Sequence, residues 1–333
     1  MLAIAERTGL DPRAIPASVL EGTQPLVLRG LVSSWPIVRA ACESGKAAAD
    51  YLRRFYQDAT VGALLGAPEI GGRFFYNDDL SGFNFQPARL KLDTVLDEIA
   101  RFASEQNPPA IYVGSTTVDT CLPGFRAEND LEMGDRQPLV SVWIGNRTRI
   151  AAHHDLPDNI ACVVAGHRRF TLFPPDQLEN LYVGPLDFTP AGQAISLVDF
   201  STPDLGRFPK FAQALKHAQS AELGPGDALF IPSMWWHHIE SLDSFNVLVN
   251  YWWRRSPAFM DSPMNALMMA IMTVRDLPPE QRAAWENLFR HYVFEQNAET
   301  AAHIPPAAQR VLAPLDDATA RDLRARLLKK LNR

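Results

Sequence analysis

The stretch Gly224-Pro-Gly-Asp-Ala-Leu-Phe-Ile-Pro-Ser-Met-Trp-Trp-His-His238 decides the fold that this 333-residue sequence predicts. Its Gly-Pro-Gly start is typical of a tight turn, and the apolar run 228–231 is typical of a buried strand. Two adjacent histidines follow soon after Pro232. The stretch therefore predicts a β-strand that leads a histidine to the end of a β-rich core.

The flanking sequence is also rich in short β-like runs. Between about residues 110 and 255 such runs are bounded by Gly, Pro and Asn, at 110–113, 139–144, 160–164, 168–173, 228–231 and 246–253. Many short strands with turn signals favour a β-sandwich or barrel. Residues 1–107 mix the two periods, with a strand at 25–29 and an amphipathic helix at 92–102. We therefore expect a mainly β protein with helices.

The composition restricts the class of protein. Hydrophobic residues make up 47% and charged residues 21%, as in ordinary globular proteins. The net charge of −6 argues against a broad basic surface, so we expect no nucleic-acid partner. The first residues do not resemble a signal peptide, and no apolar run approaches the ~18 residues of a membrane span. Three widely spaced cysteines without a CxxC pattern suit a reducing compartment, so we expect a cytoplasmic protein outside the membrane.

A second segment, 150–159, carries a histidine and a carboxylate at metal-ligand spacing. If the segment is extended, His153 and Asp155 project from one face, whereas His154 points to the other. By itself an HxD triplet is weak evidence, because a surface His–Asp pair is the more ordinary interpretation. Its weight comes from its combination with the histidines after Pro232.

Gly226, Pro232 and His237 fit the second motif of cupins, in which a tight turn feeds a strand that delivers one histidine to the barrel mouth. That spacing selects His237 over His238. With His153 and Asp155 it would form a two-histidine, one-carboxylate facial triad, which suits non-haem Fe(II). The positions that such a triad leaves open suit a 2-oxo acid, which takes two of them, and dioxygen, which takes the third.

The distal carboxylate of such a cosubstrate needs a buried cation. Arg168, Phe170 and Leu172 alternate along one predicted strand, so Arg168 would lie on an otherwise apolar face. A buried guanidinium without a partner is costly, and its fork geometry favours bidentate pairing with a carboxylate. We expect Arg168 to be the anchor. The alternative is that Arg168 or Arg169 pairs with a protein acid such as Asp176.

These motifs resemble the Jumonji C cupin-like oxygenases, and within them the small hydroxylases related to the asparaginyl hydroxylase that acts on hypoxia-inducible factor. The resemblance is close in the stretches 159–175, 198–211 and 224–242, and it extends more loosely from 25 to 252. It implies a double-stranded β-helix, a cupin or jelly-roll barrel. The barrel core would span about residues 110–255, within a domain of residues 1–257.

The resemblance also implies the cofactors and the site residues. The metal would be Fe(II) and the cosubstrate 2-oxoglutarate. The family's metal ligands fall on His153, Asp155 and His237, and its cosubstrate contacts fall on Arg168, Asn159, Asn250 and Tyr112. Two positions depart from the family, which often has Lys at Arg168 and Thr at Ile150; Thr148 lies close in sequence and would compensate.

The implied activity is conversion of 2-oxoglutarate to succinate and CO₂, coupled to hydroxylation of a protein or peptide side chain or of a small molecule. One alternative is a metal-dependent cupin that does not use 2-oxoglutarate, but such cupins generally supply HxH followed by a glutamate. Another is a catalytically silent binding module, against which the intact triad argues. We expect hydroxylation rather than demethylation, because the sequence has no recognisable reader module or basic nucleic-acid-binding segment.

After Pro257 the apolar residues follow a helical period, in two stripes: Met264, Leu267, Met268, Ile271 and Met272, and Trp285, Leu288, Phe289, Tyr292 and Val293. So short a segment has little core of its own in which to bury both stripes. We expect residues 258–333 to form a helical region that joins two copies of the chain into a homodimer. Packing of these helices on the barrel of the same chain is the alternative.

Overall fold

The computed structural model describes residues 1–332. They form two compact units, one of Met1–Arg255 and one that begins at Ser256. The strands of the first unit are β1 (Leu2–Ala3), β2 (Ala5–Thr8), β3 (Leu26–Arg29), β4 (Thr60–Gly66), β5 (Arg73–Phe74), β6 (Phe85–Lys91), β7 (Ala110–Thr117), β8 (Leu139–Gly145), β9 (Arg149–His153), β10 (Asp158–Ala165), β11 (Arg168–Phe173), β12 (Gln219–Leu223), β13 (Ala228–Ile231), β14 (Trp236–Ser241) and β15 (Asn246–Trp253). Its helices are α1 (Ala17–Leu20), α2 (Pro36–Glu43), α3 (Gly45–Arg53), α4 (Leu92–Arg101), α5 (Val118–Cys121) and α6 (Phe211–His217).

The strands form two mixed sheets. The major sheet has nine strands in the order β2-β3-β13-β10-β15-β8-β7-β4-β6, and the minor sheet has six in the order β1-β12-β11-β14-β9-β5. Side chains of both sheets pack together between them, including Phe170 and Leu172 from the minor sheet and Val163 and Leu248 from the major sheet. This is the predicted cupin or jelly-roll architecture. Among the described strands the two sheets are hydrogen-bonded separately, so they do not form one closed barrel.

The major sheet is covered on both faces, which explains its continuous apolar runs. All eight residues of β10 are buried. One face contacts the layer between the sheets, and the other packs against a larger core to which helices α2, α3, α4 and α5 contribute. A strand buried on both faces loses the alternation of apolar and polar residues, so its run alone identifies it. The predicted strands at 110–113, 139–144 and 160–164 are confirmed, each as part of a longer strand.

Gly226 makes the turn that precedes β13. Its φ is +100°, a conformation that residues with a Cβ rarely adopt, and a Cβ there would lie 2.5 Å from Ser33 Oγ. The backbone amide of Gly226 donates to Val163 O at 2.9 Å, and its carbonyl accepts from Val32 N at 2.9 Å. The glycine therefore joins the turn to β10 and to the segment after β3.

The second unit is helical, with α7 (Pro263–Thr273), α8 (Pro279–Phe289) and α9 (Asp317–Leu331). A π-helical turn, Arg290–Phe294, extends α8. None of the three helices contains a buried residue, and Trp285, Leu288 and Tyr292 are each more than 40% exposed. No helix of the described chain is both long enough and apolar enough to cross a bilayer. The cytoplasmic location stays a prediction.

Candidate metal centre

Antiparallel pairing of β9 with β14 brings the HxD segment to the histidine after Pro232. His153 is the last residue of β9 and lies opposite His237 in β14. Asp155 follows two residues later, and each of the three side chains offers a ligand atom within 4.8 Å of the other two. Asp155 Oδ2 lies 3.7 Å from His237 Nε2, and the two imidazole rings are 4.3 Å apart between centroids. The 81 intervening residues are therefore spanned by the fold as predicted.

Backbone carbonyl groups orient both imidazoles. Nδ1 of His153 lies 2.9 Å from Ala151 O, and Nδ1 of His237 lies 3.0 Å from Trp235 O. Because a carbonyl only accepts a hydrogen bond, Nδ1 carries the proton in each ring and Nε2 keeps its lone pair. This arrangement of a protonated Nδ1 on a carbonyl is the usual way in which proteins orient a metal-binding histidine.

Burial keeps the candidate ligand His237 neutral. The residue is 2% exposed, and desolvation, followed by the neighbouring His153, lowers its pKa to about 4. Neutral imidazole is the form that binds a metal ion. His237 is therefore available as a neutral nitrogen ligand at neutral pH.

The adjacent histidines point away, as strand alternation predicts. His154 packs edge-on against Trp236, with ring centroids 4.6 Å apart. His238 stacks on Phe200 at 4.7 Å on the opposite face of β14 from His237, and burial lowers its pKa to about 3. Neither belongs to the cluster of potential ligands.

A buried carboxylate, Asp158, links the segment that follows Asp155 to the loop that precedes β14, the strand of His237. Asp158 is 3% exposed; its Oδ1 accepts from Ser233 N at 3.0 Å, and its carboxylate pairs with Arg255 at 2.6 Å. Met234 N donates to Asp155 O at 2.9 Å. Met234 has a φ of +67°, which is unusual for a residue with a side chain and marks a constrained turn directly before β14.

Arg168 begins β11 and faces the layer between the sheets. It is 1% exposed, and its Nε and Nη2 have no hydrogen-bond partner in the described chain. Burial lowers the pKa of its guanidinium to about 10, with Tyr112 opposing the shift. Of the two arginines, only Arg169 pairs with acidic residues of the protein. Its partners are Glu222 and Glu240 rather than Asp176. Arg168 is thus a buried cation that lacks an anion.

The other expected cosubstrate contacts come from β7, β10 and β15. Tyr112 is buried, and desolvation raises the pKa of its hydroxyl. Asn250 Oδ1 accepts from Trp143 Nε1 at 2.9 Å, so its carbonyl oxygen is already engaged. Asn159 Oδ1 has no partner within the described residues, and neither has the indole nitrogen of Trp252, which lies opposite Asn159 in the ladder. Both atoms are therefore available to a polar ligand.

Thr148, two residues before Ile150, is buried directly before β9 begins. Its hydroxyl donates to Ser241 Oγ at 3.2 Å, and Ser241 lies opposite Arg168 in the minor sheet. That Thr148 compensates for the threonine that the family often has at the position of Ile150 stays a prediction.

The residues fit an Fe(II) centre with an acidic cosubstrate. Two imidazole nitrogens and one carboxylate oxygen are the donors that non-haem iron prefers, and they leave coordination positions open. Arg168, Asn159 and Trp252 add unpaired buried polar groups of the minor and major sheets. A dicarboxylate can satisfy the guanidinium, whose burial without an anion is otherwise costly.

Comparison with known proteins agrees with this geometry. The model of the cupin-like domain family matches residues 12–259, most of the chain, and the chain belongs to that family. Its relatives include proteins of the Jumonji C type, as the sequence motifs indicated.

Among these relatives, lysine-specific demethylase 8 of Xenopus tropicalis is 27% identical over 69% of this chain and 48% of its own length. Lysine-specific demethylase JMJ31 of Arabidopsis thaliana is 34% identical over 37% of this chain and 23% of its own length. The mouse tRNA wybutosine-synthesizing protein 5 is 30% identical over 39% of this chain and 43% of its own length. The chain therefore spans less than half the length of each of these relatives.

Sequence reasoning did not single out four residues of the contacts described above: Trp143, Asp158, Trp252 and Arg255. Trp252 follows Asn250 by two residues on β15, so strand alternation could have placed it on the same face. The pairing of Asp158 with Arg255 joins residues 97 positions apart. No local pattern in the sequence predicts it.

Proposed function

We propose that the chain is an Fe(II)- and 2-oxoglutarate-dependent oxygenase that hydroxylates a protein or peptide side chain or a small molecule. The single observation that carries the proposal is the combination of the His153, Asp155 and His237 cluster with the unpaired, buried Arg168. When bound, Fe(II) with 2-oxoglutarate supplies oxidative decarboxylation to succinate and CO₂ and the oxygenation of a C–H bond. Membership of the cupin-like family supports this reading.

The chain's own residues have separable roles in this proposal. His153, Asp155 and His237 hold the metal, and the carbonyl groups of Ala151 and Trp235 keep each Nε2 directed at it. Arg168 binds the distal carboxylate of 2-oxoglutarate, with Tyr112 as a hydroxyl donor beside it. Asn159 and Asn250 orient the other end of the cosubstrate.

The cupin reading without 2-oxoglutarate is less well supported. A cosubstrate that only binds the metal would leave the guanidinium of Arg168 buried without an anion. No carboxylate of the described protein offsets this cost. A catalytically silent module would need neither the ligand cluster nor the unpaired cation.

Removal of a methyl group from methyl-lysine is a second candidate, because two relatives are named lysine-specific demethylases. The same oxygenation would serve it, since a hydroxylated N-methyl group leaves as formaldehyde. We favour a stable hydroxylated product, on the resemblance of the motifs to the compact hydroxylases.

The test is incubation of the protein with Fe(II), 2-oxoglutarate and dioxygen, followed by measurement of succinate. We expect succinate release that needs all three, and none from an Asp155→Ala, His237→Ala double variant. A mass gain of one oxygen in lysate proteins or metabolites would indicate hydroxylation, and formaldehyde would indicate demethylation. Full metal occupancy in the double variant would contradict the assigned ligands.

We further propose that residues 1–257 form the catalytic domain and that residues 258–333 join two copies of the chain. The exposed apolar side chains of α8 and of the turn after it support this, since Trp285, Leu288, Tyr292 and Val293 are 45%, 42%, 43% and 61% exposed. Exposed apolar patches of this kind usually mark interfaces.

Light scattering tests the dimer. We expect twice the chain mass of 37.1 kDa at micromolar concentration. A Leu288→Glu, Tyr292→Glu variant should be monomeric, whereas an Arg290→Glu variant, which changes a charged residue between them, controls for altered charge alone. A monomer mass for the unmodified protein would reject the dimer.

A further inference from the structure

A cavity of about 480 Å³ lies at the β5 edge of the minor sheet, lined by residues 69–84 and 197–208. Arg73 in its wall lies opposite Arg149 in the ladder between β5 and β9. Arg149 precedes His153 by four residues on β9, which is ~13 Å along an extended strand. Arg73 is therefore remote from the candidate metal centre along the sheet, and none of the lining residues of the cavity is a candidate ligand.

Two arginines and one carboxylate lie at the inner wall of the cavity, where Arg73 and Asp199 are lining residues and Arg149 pairs with Asp199 from outside the lining. The Arg73 guanidinium lies 3.6 Å from the ring centroid of Phe75, 3.7 Å from Asp199 Oδ2, and 3.4 Å from Leu197 O. Asp199 is also paired with Arg149, at the shorter distance of 3.0 Å. Two guanidinium groups thus pair with one carboxylate, and the ion pair made by Arg73 is the longer of the two.

Arg73 is also the group of the inner wall with the most unused hydrogen-bond donors. The amide of Asn84 is used by Phe75 N and Arg73 O, and the amide of Asn77 by Gly82 N and Ser81 Oγ. The Tyr76 hydroxyl donates to Phe188 O. Arg73 makes one long hydrogen bond with its five N–H groups, and its side chain is 20% exposed. Stacking on Phe75 keeps the guanidinium in one orientation.

The rim has the opposite charge. Glu69, Asp78 and Asp204 are exposed there, and none of the three forms a salt bridge with another described residue. Arg207 is the one cation on the rim, so the rim is net negative. A simple anion would be attracted by the inner wall and repelled by the rim. A ligand that carries a carboxylate at one end and a cation at the other satisfies both.

We propose that this cavity binds an amino-acid unit with both charges, its carboxylate on Arg73 and its cationic group at the acidic rim. Phe75, Leu197 and Phe208 supply apolar contacts for the stem between the charges. The unit is either a free amino acid or a pair of neighbouring residues in a peptide, one acidic and one basic. Binding here requires neither the metal nor 2-oxoglutarate, so its failure would leave the proposed oxygenase function untouched.

Titration calorimetry on the metal-free protein tests the proposal with three probes. The first, 6-aminohexanoate, represents a free amino acid; the second, N-acetyl-Glu-Lys-amide, represents a peptide; the third, hexanoate, carries the carboxylate alone. We expect saturable binding of at least one of the first two, tighter than that of hexanoate. The tighter of the first two identifies the source of the unit.

Variants of the cavity should change affinity in opposite directions. Arg73→Met should weaken the tighter probe by ~10-fold or more, the loss typical of a charge-assisted hydrogen bond, whereas Arg73→Lys should retain part of the affinity. Asp199→Asn removes the competing carboxylate, so it should tighten binding. A Glu69→Gln, Asp78→Asn double variant should bind hexanoate better and 6-aminohexanoate worse. Arg101→Met, which changes an exposed arginine at the end of α4, is the matched control and should bind normally.

Circular dichroism establishes that each variant is folded before it is titrated. Should Arg73→Met fail to fold, the opposite responses of Asp199→Asn and of the rim variant still test the site. The proposal is wrong if no probe binds saturably, if Arg73→Met binds as the unmodified protein does, or if hexanoate binds as tightly as 6-aminohexanoate.

Discussion

The two faces of the minor sheet carry the same residue types in opposite states. On β14, His237 faces the other sheet, whereas its neighbour His238 stacks on Phe200 on the outer face. On β11, Arg168 is buried without an anion, whereas its neighbour Arg169 is paired with two glutamates. On β11, one strand position thus separates a cation that is paired within the protein from a cation that is left without an anion.

The difference teaches that burial alone does not identify a functional residue. His237 and His238 are both buried, and burial lowers the pKa of each. His237 differs because His153 and Asp155 converge on it, whereas His238 lies outside that cluster and stacks on Phe200. Convergent ligand atoms and unpaired charge, rather than a shifted pKa, mark the inner face as the site.

The largest expected effect separates the two histidines. His237→Ala should weaken Mn(II) binding by more than the ~10–100-fold that loss of an outer-shell partner costs, because it removes a ligand itself. His238→Phe preserves an aromatic ring against Phe200 and should bind Mn(II) nearly normally. Calorimetry with Mn(II) as an inert substitute for Fe(II) measures both. Equal loss of Mn(II) affinity in the two variants would show that the two faces of β14 do not differ in metal binding.

The next effect separates the two arginines. Arg168→Met should raise the Kd for 2-oxoglutarate on the metal-loaded protein by roughly 10–100-fold, since it removes a buried charge-assisted pair. Metal binding should be retained. Arg169→Met, which removes an exposed cation paired within the protein, should change the Kd by less than about twofold. A larger effect from Arg169→Met would assign the anchor to the outer face.

The smallest effect concerns the stability of the protein without ligands. Because Arg168 is buried without an anion, Arg168→Met should raise the free energy of unfolding of the metal-free protein by about 1–2 kcal/mol. Arg169→Met should lower it by less than about 1 kcal/mol, as expected for exposed ion pairs. Urea denaturation of both variants makes the comparison. A loss of stability in Arg168→Met would mean that its stem packing outweighs the cost of its unpaired charge.

The sequence predicted the inner face better than the outer one, for a physical reason. Strand alternation together with apolar neighbours places Arg168 inside, and the HxD spacing excludes His154. These are local rules. The glutamates that pair with Arg169 lie on β12 and β14, so their partnership depends on sheet order and register, which no local pattern specifies. The wall of the cavity at Arg73 likewise combines segments more than 100 residues apart.

The helices after Pro257 show the other limit of prediction. Their stripes correctly indicated helical segments at 263–273 and 279–289. The period of a stripe reports which residues share a face, whereas the partner of that face is a property of the assembly. The dimer accordingly stays a proposal.

The pairing of Asp158 with Arg255 has a consequence for dissecting the protein. Arg255 is the final residue of the first unit, and it also donates to Glu21 O at 3.1 Å and Gly22 O at 2.9 Å. A fragment that ends at residue 254 would keep every candidate metal ligand and every strand of both sheets, yet it would leave Asp158 buried without its cation. The minimal fragment with an intact metal-binding loop therefore extends two residues beyond the end of β15.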